Sequence, residues 1–429
     1  MRVGRFLLAS AVVAAMAVLS ACGGGNGSSS SGGNNPPPPA NTDIVYTFIG
    51  SNPTAIAMKI GTGSWAGATV STNNQFTVSV PSGTSSYGLA YVCAATTGET
   101  ESTESVIEAT VSDGNAFTVF GCSATGKNLG LITGSVSTYD YSFINYQGSL
   151  WVWGAQGNEV SLPYPQQLVA LGAPNGTNDI AIVAMSSLVN AAAVKIVRNQ
   201  TVPGTISGSP VTLAPSDVVV SKPYLIHNIP PGFGSSSIYS EYYTANGTYF
   251  ILGSGTSTQY LTVPPSQMQP GDYTLLSASA SAPPSPQNIN QGVFEAISIT
   301  SPGTMNFKMP APLPYVPPTA AAWPTFTLKY PGFSGVTASD EMATMNWSLP
   351  GADNFNSVSV VATSAYQAGA TTLAVPDLTS LNGFLPPPPS GTMVEWYTQV
   401  SGGNYHAFLQ APANASLSGA TAGGFYNAP

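Results

Sequence analysis

The stretch QFTVSVPSGTSSYGLAYVC (Gln75–Cys93) decides how this 429-residue chain is read. An alternating run, QFTVSV, meets a Pro/Gly turn, and a second strand-like run, YGLAYVC, follows. Alternation with period two marks strands with one buried face. Similar units return in QQLVALGAPNGTNDIAIVAM from Gln166, TQYLTVPPSQMQPGDYTLLSASA from Thr258, and TTLAVPDLTSLNGFLPPPPSGTMVEWYTQV from Thr371. Their turn prolines, Pro81, Pro174, Pro264 and Pro376, are separated by 93, 90 and 112 residues. That is the period of whole domains; solenoid repeats recur every 20–50 residues or so.

Upstream of the first unit, Arg2 and Arg5 precede an apolar run, Phe6–Leu19, too short to span a bilayer comfortably. The run ends in Leu19-Ser20-Ala21-Cys22, which resembles the lipobox of bacterial lipoproteins. The resemblance implies a leader over 1–21, lipidation of Cys22 and, with Gly23 next rather than Asp, delivery to the outer membrane. The alternative is an ordinary secretory signal cleaved nearby. Residues 22–42, rich in Gly, Ser and Pro, read as a flexible tether of roughly 25 Å. The rest divides into four units, 43–126, 127–221, 222–314 and 315–429.

Only 6% of residues are charged, far below the usual quarter. The net charge of −9 becomes −11 once Arg2 and Arg5 leave with the leader. An acidic chain with so few cations is no nucleic-acid binder, because that binding rests on Lys and Arg at phosphates. With Cys22 lipidated, Cys93 and Cys122 remain as an even pair in an oxidising compartment. They read as a disulfide, with two free buried thiols as the alternative.

Two resemblances bear on the units. Tyr91-Val92-Cys93 resembles the Tyr-x-Cys of immunoglobulin domains, although the partner cysteine of that family lies earlier in the chain. Trp347 in MNWSLP, with Val375-Pro376-Asp377-Leu378 and a later Pro-Ser-Gly-Thr, is similar to fibronectin type III domains, where such a Trp stands on strand B. The fourth unit departs from that pattern at Met393-Val394 and in a turn lengthened by Phe384–Pro389. The fold class implied is all-β: tandem immunoglobulin-like or fibronectin type III-like sandwiches. Phe294–Thr300 and Met305–Met309 read as a hairpin, 309–318 as a stiff linker, and 411–429 as a low-complexity tail without fixed structure. Ser186–Val197 suits strand or helix, with its Val and Ile favouring strand.

Little in the sequence carries chemistry. His227 and His406 have no His or Cys at metal-ligand spacing, and neither G-x-S-x-G nor a phosphate-cradling Gly loop occurs. No metal or cofactor is expected. Glu99, Glu101, Glu104 and Glu108 form the one acidic cluster, read as a solvated face rather than a cation site. The aromatic stretches hold the candidate ligand-binding residues Tyr146, Trp151, Trp153, Tyr239 and Tyr243, with core or cross-strand packing as the competing role. The expected function is non-enzymatic: a membrane-anchored spacer, adhesin or assembly module with a protein partner. The alternative is a glycan-binding module or an accessory to a polysaccharide-acting enzyme.

Overall fold

The computed structural model describes residues 41–429 except 50–51, 70–73, 94–100, 121, 123–128, 138–148, 155–158, 164–167, 188–189, 235–236, 255–257, 284–290, 331, 334, 349–354 and 410. The leader, Cys22, most of the tether, Glu99 and Tyr146 lie outside the described residues.

The chain is all-β, and one seven-strand plan recurs. The first unit holds β1 (Thr42–Ile49), β2 (Ala55–Ile60), β3 (Ala66–Ala68), β4 (Gln75–Val80), β5 (Ser86–Cys93), β6 (Glu101–Thr110) and β7 (Ala116–Phe120). A narrow sheet is ordered β4-β1-β7 and a wide one β3-β2-β5-β6. The second unit repeats this with β8 (Leu129–Ser135), β9 (Ser149–Trp153), β10 (Glu159–Pro163), β11 (Leu168–Pro174), β12 (Gly176–Met185), β13 (Ala191–Val202) and β14 (Gly204–Thr205). Its sheets run β11-β8-β14 and β10-β9-β12-β13. The third has β15 (Val220–His227), β16 (Ser237–Tyr243), β17 (Tyr249–Ser254), β18 (Gln259–Thr262), β19 (Tyr273–Ser281), β20 (Gly292–Ile299) and β21 (Met305–Lys308). Its narrow sheet is β18-β15-β21 and its wide set β17-β16-β19-β20. In each of the three, the seventh strand runs parallel to the first. The fourth unit has β22 (Thr325–Thr327), β23 (Ala338–Ser348), β24 (Phe355–Thr363), α1 (Ser364–Gln367), β25 (Thr372–Ala374), β26 (Met393–Gly403) and β27 (Ser416–Asn427). It pairs β22-β25 and β24-β23-β26-β27.

The repeated stretch is the corner of this plan. β4, β11, β18 and β25 lie in narrow sheets, and the strands that follow them, β5, β12, β19 and β26, lie in wide ones. The two runs therefore do not pair with each other. The turn carries the chain across the core, as between strands E and F of the immunoglobulin order. Alternation suits the narrow-sheet strand, where Phe76, Val78 and Val80 point inward between exposed Thr77 and Ser79. β5 is buried on both faces, from Tyr87 to Val92, because the neighbouring unit covers its outer side.

The units are not separate sandwiches. The wide sheets of the third, fourth and first units join into one twelve-stranded sheet, β17-β16-β19-β20-β27-β26-β23-β24-β6-β5-β2-β3. β20 meets β27 antiparallel, and β24 meets β6 in parallel with Val360 beside Val106. Joining them closes four edges that isolated sandwiches would expose. One core follows, from Leu276 and Phe307 in the third unit through Trp347 and Trp396 in the fourth to Ala90 and Val106 in the first.

Several expectations are corrected. The boundary at 221/222 falls inside β15. Residues 411–429 are not a structureless tail, since β27 is an inner strand of the large sheet. Its Gly and Ala hide it from hydropathy but let it pack closely; a Cβ on Gly419 would lie 2.3 Å from the Phe294 ring. β20 and β21 form no hairpin, because β21 crosses to the narrow sheet beside β15. Trp347 stands on the second strand of its unit, in the wide sheet beside β26, which is the place of strand C rather than strand B. The lengthened turn of the fourth unit has a structural role: Leu378 and Leu385 belong to the core that Ala57, Ala90 and Val92 of the first unit share. The strand reading of 191–197 holds, within β13.

Cys93 and Cys122 are disulfide-bonded, with Cα atoms 5.0 Å apart and a sequence separation of 29. The bond ties the end of β5 to the chain just beyond β7. Replacing both cysteines by serine is expected to cost about 3–4 kcal/mol, read as a lower urea midpoint that reductant no longer shifts.

Candidate functional site: an aromatic row and the sealed junctions

β9 sends Leu150 and Val152 into the core of the second unit and Trp151 and Trp153 to the opposite face. The third unit packs against that face with Tyr242, Phe250, Leu252 and Val263. A row of rings crosses the contact. Trp151 and Trp153 are 6.1 Å apart, Trp153 and Tyr249 6.4 Å, Tyr249 and Tyr243 5.4 Å, and Tyr243 and Tyr273 4.8 Å at an interplanar angle of 4°. The structure thus brings Trp151, Trp153 and Tyr243 into one assembly. Tyr239 lies on the same strand as Tyr243, and Glu241 stands between them. The Tyr243 hydroxyl donates to Glu241 Oε2 at 2.7 Å, and Tyr273 donates to the Ala411 carbonyl at 2.8 Å. Burial pushes the Glu241 carboxyl up to about 7, against the pull of the Tyr243 hydrogen bond.

This row is packed into the contact between the units. Trp153 is 9% exposed and Tyr243 1%, so neither offers a ring face to a ligand. Trp151 and Tyr239 keep half-buried rims. Tyr146 lies outside the described residues.

A polar network that the sequence reading missed completes the contact. Arg198 Nη1 donates to Asp179 Oδ2 at 3.0 Å and to Asp272 Oδ1 at 3.1 Å. Its Nη2 donates to Asp272 Oδ2 and to the Gln267 carbonyl, both at 2.5 Å. Tyr242 donates to Asp272, Asn246 to Asp179, and Ala245 N to Asp272. The signal lay in the repeat: Asp179 and Asp272 stand at matching places, just after the turn and just before the apolar fifth-strand run. A cleft of about 370 Å³ opens at this corner between Lys222, Met268, Gly271, Asp272 and Pro302. Both Asp272 oxygens are already committed to the network, so the cleft presents no free carboxylate.

The junction of first and fourth units holds the second network. His406 is buried, with Nδ1 2.6 Å from Asp340 Oδ1 and Nε2 3.8 Å from Asp113 Oδ1. Ala407 N donates to Asp340, and Thr363 Oγ1 to Asp113. Both ring nitrogens face carboxylates. Burial alone would lower the imidazole pKa, but Asp340, then Asp113, hold it above the ordinary histidine value. A raised value means that this contact stabilises fully below about pH 6.5 and fades as pH rises through the folded pKa. Between pH 6.5 and 9 the unfolding temperature should fall more steeply for the unaltered chain than for His406→Gln, read by scanning calorimetry. His227 is exposed, 3.4 Å from Asn306.

The acidic cluster is not a solvated face throughout. Glu104 is 1% exposed and accepts from Leu385 N at 3.0 Å. Glu108 pairs with Lys59 and accepts from Tyr366 at 3.0 Å. Lys59 also lies 5.0 Å from the Trp65 ring centroid and reaches Glu108 across Gly88, where a Cβ would sit 2.7 Å from Trp65. The parallel β6–β24 ladder draws these acids inside. Glu101 remains exposed.

No family model and no curated protein matches the chain. Among solved structures it is similar to the Bacillus anthracis TIE protein, at 10% identity and a TM-score of 0.14, over 63% of this chain and 50% of that one. It is also similar to the product complex of the multi-modular glycogen-degrading pneumococcal virulence factor SpuA, at 10% identity and a TM-score of 0.14, over 83% of this chain and 36% of that one. The matches span half or less of those chains, and overlays this loose carry no argument about function.

Proposed function

We propose that this chain is a non-enzymatic, lipid-anchored scaffold of the outer membrane, acting as a spacer or assembly module. The observation that supports the reading is the joining of three units into one sheet, with buried charge networks at the contacts between units. Such a block holds its parts at fixed distances, where sandwiches on flexible linkers would not. Cys22 carries the lipid, and the Gly/Ser/Pro tether sets the block off the bilayer. The burial of Trp153 and Tyr243 favours this reading over a glycan platform, which needs open ring faces.

Protease shaving of intact cells, then of cells with the outer membrane opened, tests the placement. Cleavage in one of the two conditions, together with release of the Cys22→Ser variant from the membrane fraction, is the expected result. A Cys22→Ser variant that stays with the membrane sinks the anchor. Glycan-array binding lost in Trp151→Ala, in a variant that still folds, would instead support the carbohydrate alternative.

A further inference from the structure

Three units place a seventh strand beside the first, and the fourth shows none among the described residues. Its place is the outer edge of β22. Phe326 and Leu328 are buried and belong to the side of the strand facing β25, where Leu328 N donates to the Thr371 carbonyl at 2.8 Å and Val375 N to the Pro324 carbonyl at 3.0 Å. Backbone groups alternate along a strand, so Thr325, Thr327 and Lys329 turn theirs to the opposite edge. Thr319 takes those of Thr325, through its own N–H at 3.1 Å and its hydroxyl at 2.8 Å. Thr327 and Lys329 are exposed, and their backbone groups have no partner on that edge among the described residues.

The stretch 310–319 lies over this place without laddering. Ala311 O accepts from the Tyr330 hydroxyl at 3.0 Å, Leu313 is buried, and the Tyr315 ring is 5.5 Å from that of Trp396. These contacts run it opposite to β22, whereas the seventh strands run parallel. Pro310, Pro312, Pro314, Pro317 and Pro318 have no N–H to give an edge. In the same unit the buried indole N–H groups of Trp347 and Trp396 find no acceptor among the described residues.

We propose that the fourth unit accepts a seventh strand from a partner polypeptide, which displaces the proline-rich stretch. The first and third units state the chemistry of the guest: an extended segment parallel to β22 with apolar side chains at alternate positions, as Phe117 and Val119 or Phe307 and Met309 supply. Main-chain bonds to Thr327 and Lys329 would hold it and the alternate side chains would select it. The inference rests on the assembly reading, but its test does not depend on where the protein is anchored.

The probes are labelled peptides with the sequences of residues 115–120 and 304–309, titrated against the chain lacking its leader. Saturable binding is expected, with slowed amide exchange at Thr327 and Lys329. Thr327→Pro should weaken it about ten-fold by removing one edge donor. The double variant Leu313→Gly, Tyr315→Gly should tighten it by freeing the place. A peptide with proline at the Val119 position, whose N–H faces the first strand, should not bind. Absence of saturable binding to both the unaltered and the double-variant chains overturns the proposal. So does binding that leaves exchange at Thr327 and Lys329 unchanged, a readout that needs no variant to fold.

Discussion

Arg198→Ala is expected to lower the unfolding free energy by about 3–5 kcal/mol, the cost of stranding buried charge. Asp179 and Asp272 are each 1% exposed and both take a guanidinium nitrogen of Arg198. Truncation leaves two carboxylates inside with their main countercharge gone. It also releases the Gln267 carbonyl, so the contact between second and third units loses its polar centre. Arg198→Lys should recover only part, because an ammonium cannot reproduce the planar fork that serves both acids and a carbonyl. Urea unfolding of the chain checks this, and an unchanged midpoint for Arg198→Ala would refute the assignment.

Glu104→Gln is expected to stabilise the protein by about 2–3 kcal/mol at pH 8 and by little at pH 5. Burial, opposed by the hydrogen bond from Leu385 N and helped by the charge of Asp377, pushes the Glu104 carboxyl up to about 7. Its unfolded value lies near 4.3. A carboxyl raised on folding binds its proton more readily in the native state, so stability falls as pH rises from the unfolded value to the folded one and stays low above it. The amide keeps an oxygen for Leu385 N and removes a buried charge whose Oε1 has no partner among the described residues. Glu241 and Glu341 are likewise raised to about 7 by burial, and their contributions cancel when variant and parent are compared at each pH. Equal differences at pH 5 and pH 8 would remove Glu104 as the titrating group.

What could be read from residues alone was the corner. A polar-apolar run, a proline turn and an apolar run needed no partner to be recognised, and the structure puts a sheet crossing at each. The disulfide was readable for the same reason, as two cysteines left in one unit. The shared sheet was not readable, because edge strands join through backbone groups that every residue carries alike. Nothing in FNSVSVVAT names ESTESVIEAT as its neighbour. β27 escaped notice because its buried residues are Gly and Ala, whose closeness to Phe294 only the fold reveals. Among the site residues, Trp151, Trp153, Tyr239 and Tyr243 were visible as aromatic crowding. Their partners Arg198, Asp179 and Asp272 were isolated charges in a nearly uncharged chain, and only the repeat offered a clue to the two acids.

The pairing of β6 with β24 also fixes an order of events. The first unit leaves the ribosome well before the fourth, yet the outer edge of β6 has no neighbour until β24 arrives, and the outer edge of β20 likewise waits for β27. Two ribbon edges therefore stay open through much of synthesis, and open edges invite pairing with other chains. The fourth unit is the keystone of the block: a chain cut short after the third unit would emerge with both edges bare, as a candidate for aggregation or proteolysis.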